Sequence, residues 1–312
     1  MASLSLPSRG MRIVPVNGIE LAVETHGDPD GLPLVLVNGL GQHLIGWHPD
    51  LLASMVRRGY HVIVFDNRDV GYSTHLDWHG PPDLLGIVAG QPGLAPYGLE
   101  DMAADTAGLL DALGLDSAHV MGVSLGGMIA QLLALTSPDR VRSLISVMSH
   151  PGDHSVKPTD EAINLLLRPG ATTLDEFILG AEESARVIGS PEFAVDVSWL
   201  HSRSRALWER RQNPAGVARQ LAAVLVAADR SAALAGLRVP TLVVHGSHDP
   251  LIPVRGGRLT AAAVPSAELL EIDGMAHDLP REIWARLLDR IDDTTQHGES
   301  LRTAVRNPVS PP

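Results

Sequence analysis

The chain opens with two short segments of alternating character, Arg12 to Val16 and Ile19 to Thr25, separated by Asn17-Gly18. Asn-Gly supplies the two left-handed residues of a tight turn, so an antiparallel hairpin is predicted there. Leu34 to Asn38 and His61 to Asp66 are compact apolar runs that end in glycine or polar residues, the pattern of strands covered on both faces. His48 to Arg58, between them, reads as a helix. From Leu99 onward, Met102, Ala103, Leu109, Leu110 and Leu113 recur at helical spacing, with Glu100, Asp101 and Asp105 in the early turns and Gly114 as the stop. Ala118 to Val123 and Val141 to Ser149 read as strands flanking an almost wholly apolar helix, Leu125 to Thr136. Thr241 to Gly246 and Ala267 to Ile272 complete the strands, with helices at Arg255 to Val264 and Leu279 to Ile291.

Strand and helix in alternation require a mostly parallel sheet with helices on both faces. The alternation lapses over 150–236, where helical segments, prolines and the aromatics Phe177, Phe193, Trp199 and Trp208 predict a helical cap. The expected organisation is an N-terminal tail (1–11), a core in two pieces (12–149 and 237–291), a cap inserted between them (150–236) and a flexible C-terminal tail (292–312). That last stretch is polar, carries three prolines and lacks apolar periodicity.

Composition narrows the chemistry. With 24 basic and 36 acidic residues in 312, the formal net charge of -12 repels nucleic acid and anionic bilayers. The absence of cysteine removes thiolate catalysis, disulfides and Cys-ligated metals. All but one of the basic residues are arginine, so Schiff-base and P-loop chemistry would rest on Lys157 alone. Met1 to Met11 holds no leader-like apolar run and no later stretch reaches the ~18 apolar residues of a membrane span, so the expectation is a cytoplasmic protein. Oligomeric state has no signature.

The strongest chemical signal is Gly122-Val123-Ser124-Leu125-Gly126, a G-x-S-x-G motif at a strand end and helix start. Such a turn lifts the Ser124 hydroxyl above the sheet and leaves the Leu125 amide ready to hold an oxyanion. Ser124 needs a base and a carboxylate to orient it. His277 lies after the last strand and Asp249 after the one before it, giving the order Ser, acid, His. Asp273 and Asp278 stand as fallback acids. Asn38-Gly39-Leu40-Gly41 follows an early strand, where the Leu40 amide is the second oxyanion candidate. Gly39, Gly41 and Leu44 break the dinucleotide fingerprint, and the Pro and Gly within His150 to His154 mark a hinge rather than a metal site, so no cofactor or metal is expected. Asp66 to Ser73 is dense in polar residues and is expected to fix the loop beside the site by Arg-carboxylate pairing.

Over Arg12 to Ile291 these motifs resemble the α/β-hydrolase superfamily. Val37 to Gly41, Phe65 to Thr74, Gly122 to Met128 and Gly274 to Asp278 are together similar to the aclacinomycin methylesterase group and related actinobacterial lipases and esterases. The resemblance implies hydrolysis of small to medium, largely apolar carboxylic esters. Two departures stand out: Asn38 replaces a common His, and Asp69 a common Gly. Carbon-carbon bond hydrolases and cofactor-free perhydrolases use the same triad, and a ligand-binding receptor of this fold could retain it without turnover.

Overall fold

The computed structural model describes residues 8–306. Eight strands form one sheet: β1 (Ser8–Val16), β2 (Ile19–His26), β3 (Leu32–Val37), β4 (Tyr60–Phe65), β5 (Ala118–Val123), β6 (Val141–Val147), β7 (Thr241–Gly246) and β8 (Ala267–Ile272). Their spatial order is β1-β2-β4-β3-β5-β6-β7-β8. The pairs β1/β2 and β2/β4 are antiparallel, and every other neighbour is parallel. The opening hairpin turns on Asn17 and Gly18, both at positive φ (44° and 77°), as a two-residue turn requires.

The helices before β7 are α1 (Pro49–Arg57), α2 (Leu84–Val88), α3 (Leu99–Ala112), α4 (Leu125–Thr136), α5 (Asp160–Leu166), α6 (Leu174–Ile188), α7 (Val197–Glu209), α8 (Pro214–Val226) and α9 (Ser231–Leu234). After it come α10 (Arg255–Ala263) and α11 (Trp284–Arg306). Strand periodicity assigns each side chain to one of two cores. Val35, Val37, Ile63, Phe65 and Val120 pack with Leu109, Ile129 and Leu133 of α3 and α4. Leu34, Leu36, Val62, Val64 and Met121 pack with Leu51 and Met55 of α1 and Leu287, Leu288 and Ile291 of α11. Burial of each such side chain contributes ~1.5–3 kcal/mol, so the sheet is a rigid platform.

The five helices α5 to α9 all lie between β6 and β7. This insertion is bolted to the core by polar side chains. Arg219 of α8 is closed to solvent and grips Asp69 in a fork, Nε to Oδ2 at 2.8 Å and Nη2 to Oδ1 at 2.6 Å. Gln220 donates to the Arg68 carbonyl (2.7 Å) and accepts from the Gly41 amide (2.9 Å). Arg210, just beyond α7, pairs with the buried Asp66, and Arg68 pairs with Asp105 of α3 at 2.6 and 2.7 Å. The Asp66 to Ser73 loop is thus held by Arg-carboxylate pairs, two of which reach into the insertion.

Two expectations need correction. Residues 8–11 belong to β1 rather than to a tail, because an edge strand needs only its backbone to pair, here Ser8 with His26 and Arg9 with Thr25. Residues 292–306 are helical, not frayed: α11 runs on past its apolar stripe because polar contacts take over. The Tyr60 hydroxyl donates to Asp292 (2.7 Å) and meets Thr295 (2.8 Å), and Arg142 donates to Glu299 (3.0 Å). Residues 1–7 and 307–312 of the two expected tails lie outside the described residues. No helix among the described residues is long and apolar enough to cross a membrane.

Candidate active site

The loops after β3, β5, β7 and β8 meet at the carboxyl edge of the parallel strands, where open α/β sheets bind ligands. Ser124 occupies the turn from β5 to α4 at φ 57° and ψ -121°, a left-handed backbone that a non-glycine residue adopts only at a cost. Its amide donates to Val147 O (2.8 Å), and its carbonyl accepts from the Gly127 and Met128 amides (2.9 and 3.3 Å). The flanking glycines are sterically required. A Cβ on Gly122 would stand 2.0 Å from the Gly126 oxygen, and one on Gly126 would stand 2.1 Å from that of Val37.

Asp249 follows β7, and its carboxylate is closed to solvent. Oδ1 accepts from the Leu251 and Ile252 amides, both at 2.9 Å, while Oδ2 accepts from His277 Nδ1 at 2.7 Å. An ionised carboxylate only accepts, so the His277 proton sits on Nδ1 and Nε2 is left with a free lone pair. His277 and Ser124 line the same cavity, though no hydrogen bond joins them in this structure. The fallback acids are committed elsewhere: Asp273 accepts from Ser247 (2.8 Å), and Asp278 from the Ser190 amide (3.1 Å) and hydroxyl.

Leu125 follows Ser124 directly, and Leu40 lines the same cavity as Ser124. Gly39 lies against it, so close that a Cβ there would be 3.3 Å from the Ser124 Cβ. Leu125 opens α4, and the first amides of a helix have no acceptor within it. Asn38 braces the loop after β3 by donating to His43 O (3.0 Å), while Asn67 donates to Asn38 O (3.2 Å). Burial holds the His43 pKa down to about 4; Asp66 opposes the shift and Arg210 adds to it.

Several residues at the site escaped sequence reasoning. His245 is fully buried beside Asp249, its Nε2 donating to Ile252 O (2.7 Å), and burial lowers its pKa. Ser190, just after α6, accepts from the Ala276 amide (2.8 Å), and Ile188 O accepts from the His277 amide (2.8 Å). The insertion therefore braces the His277 loop as well as the loop after β3.

The cavity in front of these loops has a volume of about 2070 Å³, and the insertion forms much of its wall, including Phe177, Trp199, Leu207 and Trp208. A mostly parallel sheet, the serine at a strand-to-helix turn and the Asp-His pair on later strand ends define a hydrolase architecture.

The alpha/beta hydrolase fold family model matches residues 33–280, and the chain belongs to that family. It is a hydrolase of this fold. It is 27% identical over 296 residues to rhodomycin D methylesterase DnrP of Streptomyces peucetius, covering 86% of this chain and 92% of that protein. A solved hydrolase from Pseudomonas aeruginosa superposes with a TM-score of 0.66 at 26% identity, covering 90% of this chain and 98% of the other. The esterase RhEst1 from Rhodococcus sp. shares the fold at TM-score 0.67 and 20% identity, covering 91% and 99%.

Proposed function

We propose that the protein is a serine carboxylic-ester hydrolase working through an acyl-enzyme, with Ser124 as nucleophile, His277 as general base and acid, and Asp249 as the group that orients His277. The observation that carries this reading is the 2.7 Å His277–Asp249 bond, which turns the free Nε2 of His277 toward chemistry in the cavity that Ser124 also lines. Ser124 Oγ attacks the ester carbonyl and passes its proton to His277 Nε2; the imidazolium, stabilised by Asp249, then protonates the departing alkoxide. Water activated by the same nitrogen attacks the acyl-enzyme, and Ser124 leaves with its proton restored. The Leu40 and Leu125 amides hold the oxyanion in both steps, each worth about 2.7–4 kcal/mol of transition-state stabilisation. The insertion serves as a cap that selects the ester. The similarity to a methylesterase favours a small alcohol leaving group.

The test is hydrolysis of short to medium-chain p-nitrophenyl esters by wild type and Ser124→Ala, each checked for folding. A burst and steady turnover present in wild type and lost in the variant is the expected result. Equal rates for the two folded proteins across the series would overturn the proposal.

A further inference from the structure

Five arginines line the cavity, and four of them are accounted for. Arg186 pairs with Glu161 and Glu183, Arg210 with Asp66, and Arg281 with Asp50, while Arg168 lies out in solvent. Arg203 differs. It projects from the inner face of α7, the face that also buries Leu200, Ser204 and Leu207. Its Nε is sealed from solvent without an acceptor, and among the described residues its guanidinium has neither an ion pair nor a hydrogen bond.

A guanidinium does not shed its proton at ordinary pH, and an uncompensated buried charge is costly. Burial lowers the Arg203 pKa, and the carboxylate of Asp278 only partly opposes this from a distance. Asp278 is itself engaged by Ser190 and forms no ion pair with Arg203. The guanidinium therefore has no partner among the described residues, and an anion entering the cavity would supply one.

We propose that Arg203 is the recognition residue for an ionised carboxylate on the substrate, at a point remote from the ester that Ser124 attacks. This inference rests on the proposed ester-hydrolase reading and adds a substrate class to it: half-esters of dicarboxylic acids and other esters bearing a free carboxylate. A planar fork of N–H donors matches a carboxylate in geometry. A single unpaired cation also fits a single negative charge better than a phosphate dianion. The His48 and Trp199 rings, 4.6 Å apart on the same wall, give the intervening carbon chain an apolar surface.

The experiment compares monoethyl esters of linear dicarboxylic acids with the matching diethyl esters, followed by pH-stat, for wild type, Arg203→Met, Arg203→Lys and Arg205→Met. Arg205 is exposed on the outer side of the same helix and serves as the control. At one chain length, wild type should favour the half-ester by about tenfold or more in kcat/KM, chiefly through KM, as expected of a charge-assisted hydrogen bond. That preference should vanish in Arg203→Met, survive in part in Arg203→Lys and persist in Arg205→Met. A Ser124-dependent wild-type activity that favours the diester at every length would overturn the proposal. If neither ester is turned over, the proposed ester-hydrolase reading fails separately, and calorimetry with the free dicarboxylates decides the role of Arg203. Saturable binding lost in Arg203→Met upholds it, and no binding at millimolar dicarboxylate overturns it. Folding is not at issue for the Met variant, since removing an unpaired buried charge should leave the melting temperature unchanged or raised.

Discussion

Replacing Asp69 by glycine separates two opposing effects at one residue. Asp69 sits at φ 72°, where glycine is at ease, so Asp69→Gly releases backbone strain of ~1 kcal/mol, the low end for left-handed residues because Asp tolerates this region. The same change strands Arg219. Both side chains of the pair are closed to solvent, and Asp69 also accepts from the Tyr97 hydroxyl and the Leu76 amide, each at 2.8 Å. Without it, Arg219 keeps only the half-exposed Asp77 (2.9 Å) and Gly80 O (2.9 Å). Breaking a buried ion pair costs ~3–5 kcal/mol, which outweighs the strain relief and leaves a net loss of ~2–4 kcal/mol. For a chain of this size that is a fall of roughly 3–6 °C in melting temperature. Thermal and urea unfolding of Asp69→Gly, Arg219→Met and the double variant close a mutant cycle. The double variant should recover the part of the loss that comes from the stranded Arg219 charge, while the Tyr97 hydroxyl and the Leu76 amide stay unmet. A single variant as stable as wild type, or a double variant as unstable as Asp69→Gly, would refute the reasoning.

Gln220→Leu removes the bridge between the Gly41 amide and the Arg68 carbonyl, and with esters as substrate should lower kcat about tenfold or more, the effect of leaving buried polar groups unmet beside Ser124 and the loop after β3; an unchanged kcat in a folded variant would show that the loop holds itself. Burial depresses two histidines in the folded state, His43 to about 4 and His119 to about 3, whereas both take up protons near pH 6.5 once unfolded. Their contribution is complete above about pH 6.5 and is lost as pH falls toward 4, so the urea midpoint should drop over that window and drop less in His119→Asn; equal slopes for the two proteins would count against it. Truncation after Ile291 deletes the Asp292, Thr295 and Glu299 contacts and should lower the melting temperature by several degrees, where removal of a frayed tail would leave it unchanged.

The hairpin, the alternating strands and the four motif loops were legible in the sequence because each is local: a turn dipeptide, an apolar run, or glycines at fixed spacing around Ser124. The insertion's attachments were not. Arg219 is 150 residues from Asp69, and Gln220 is 179 from Gly41, so no periodicity relates either pair. Arg203 is indistinguishable in sequence from its neighbour Arg205; only the packing of α7 turns one inward and the other out. Residues 292–306 misled for the same reason, since hydrophobic periodicity does not register a helix held by Tyr60 and Arg142.

The bracing of the site's loops by the insertion limits how the enzyme can be re-engineered. Grafting a foreign segment between β6 and β7 to change specificity would carry off Ser190, Arg210, Arg219 and Gln220 along with the binding wall. The recipient core would then keep its Ser124 turn but lose the partners of Gly41, Asp66, Asp69 and Ala276. Libraries that randomise the cavity-facing positions of α6 and α7 while leaving those four anchors intact are the viable route to new substrates.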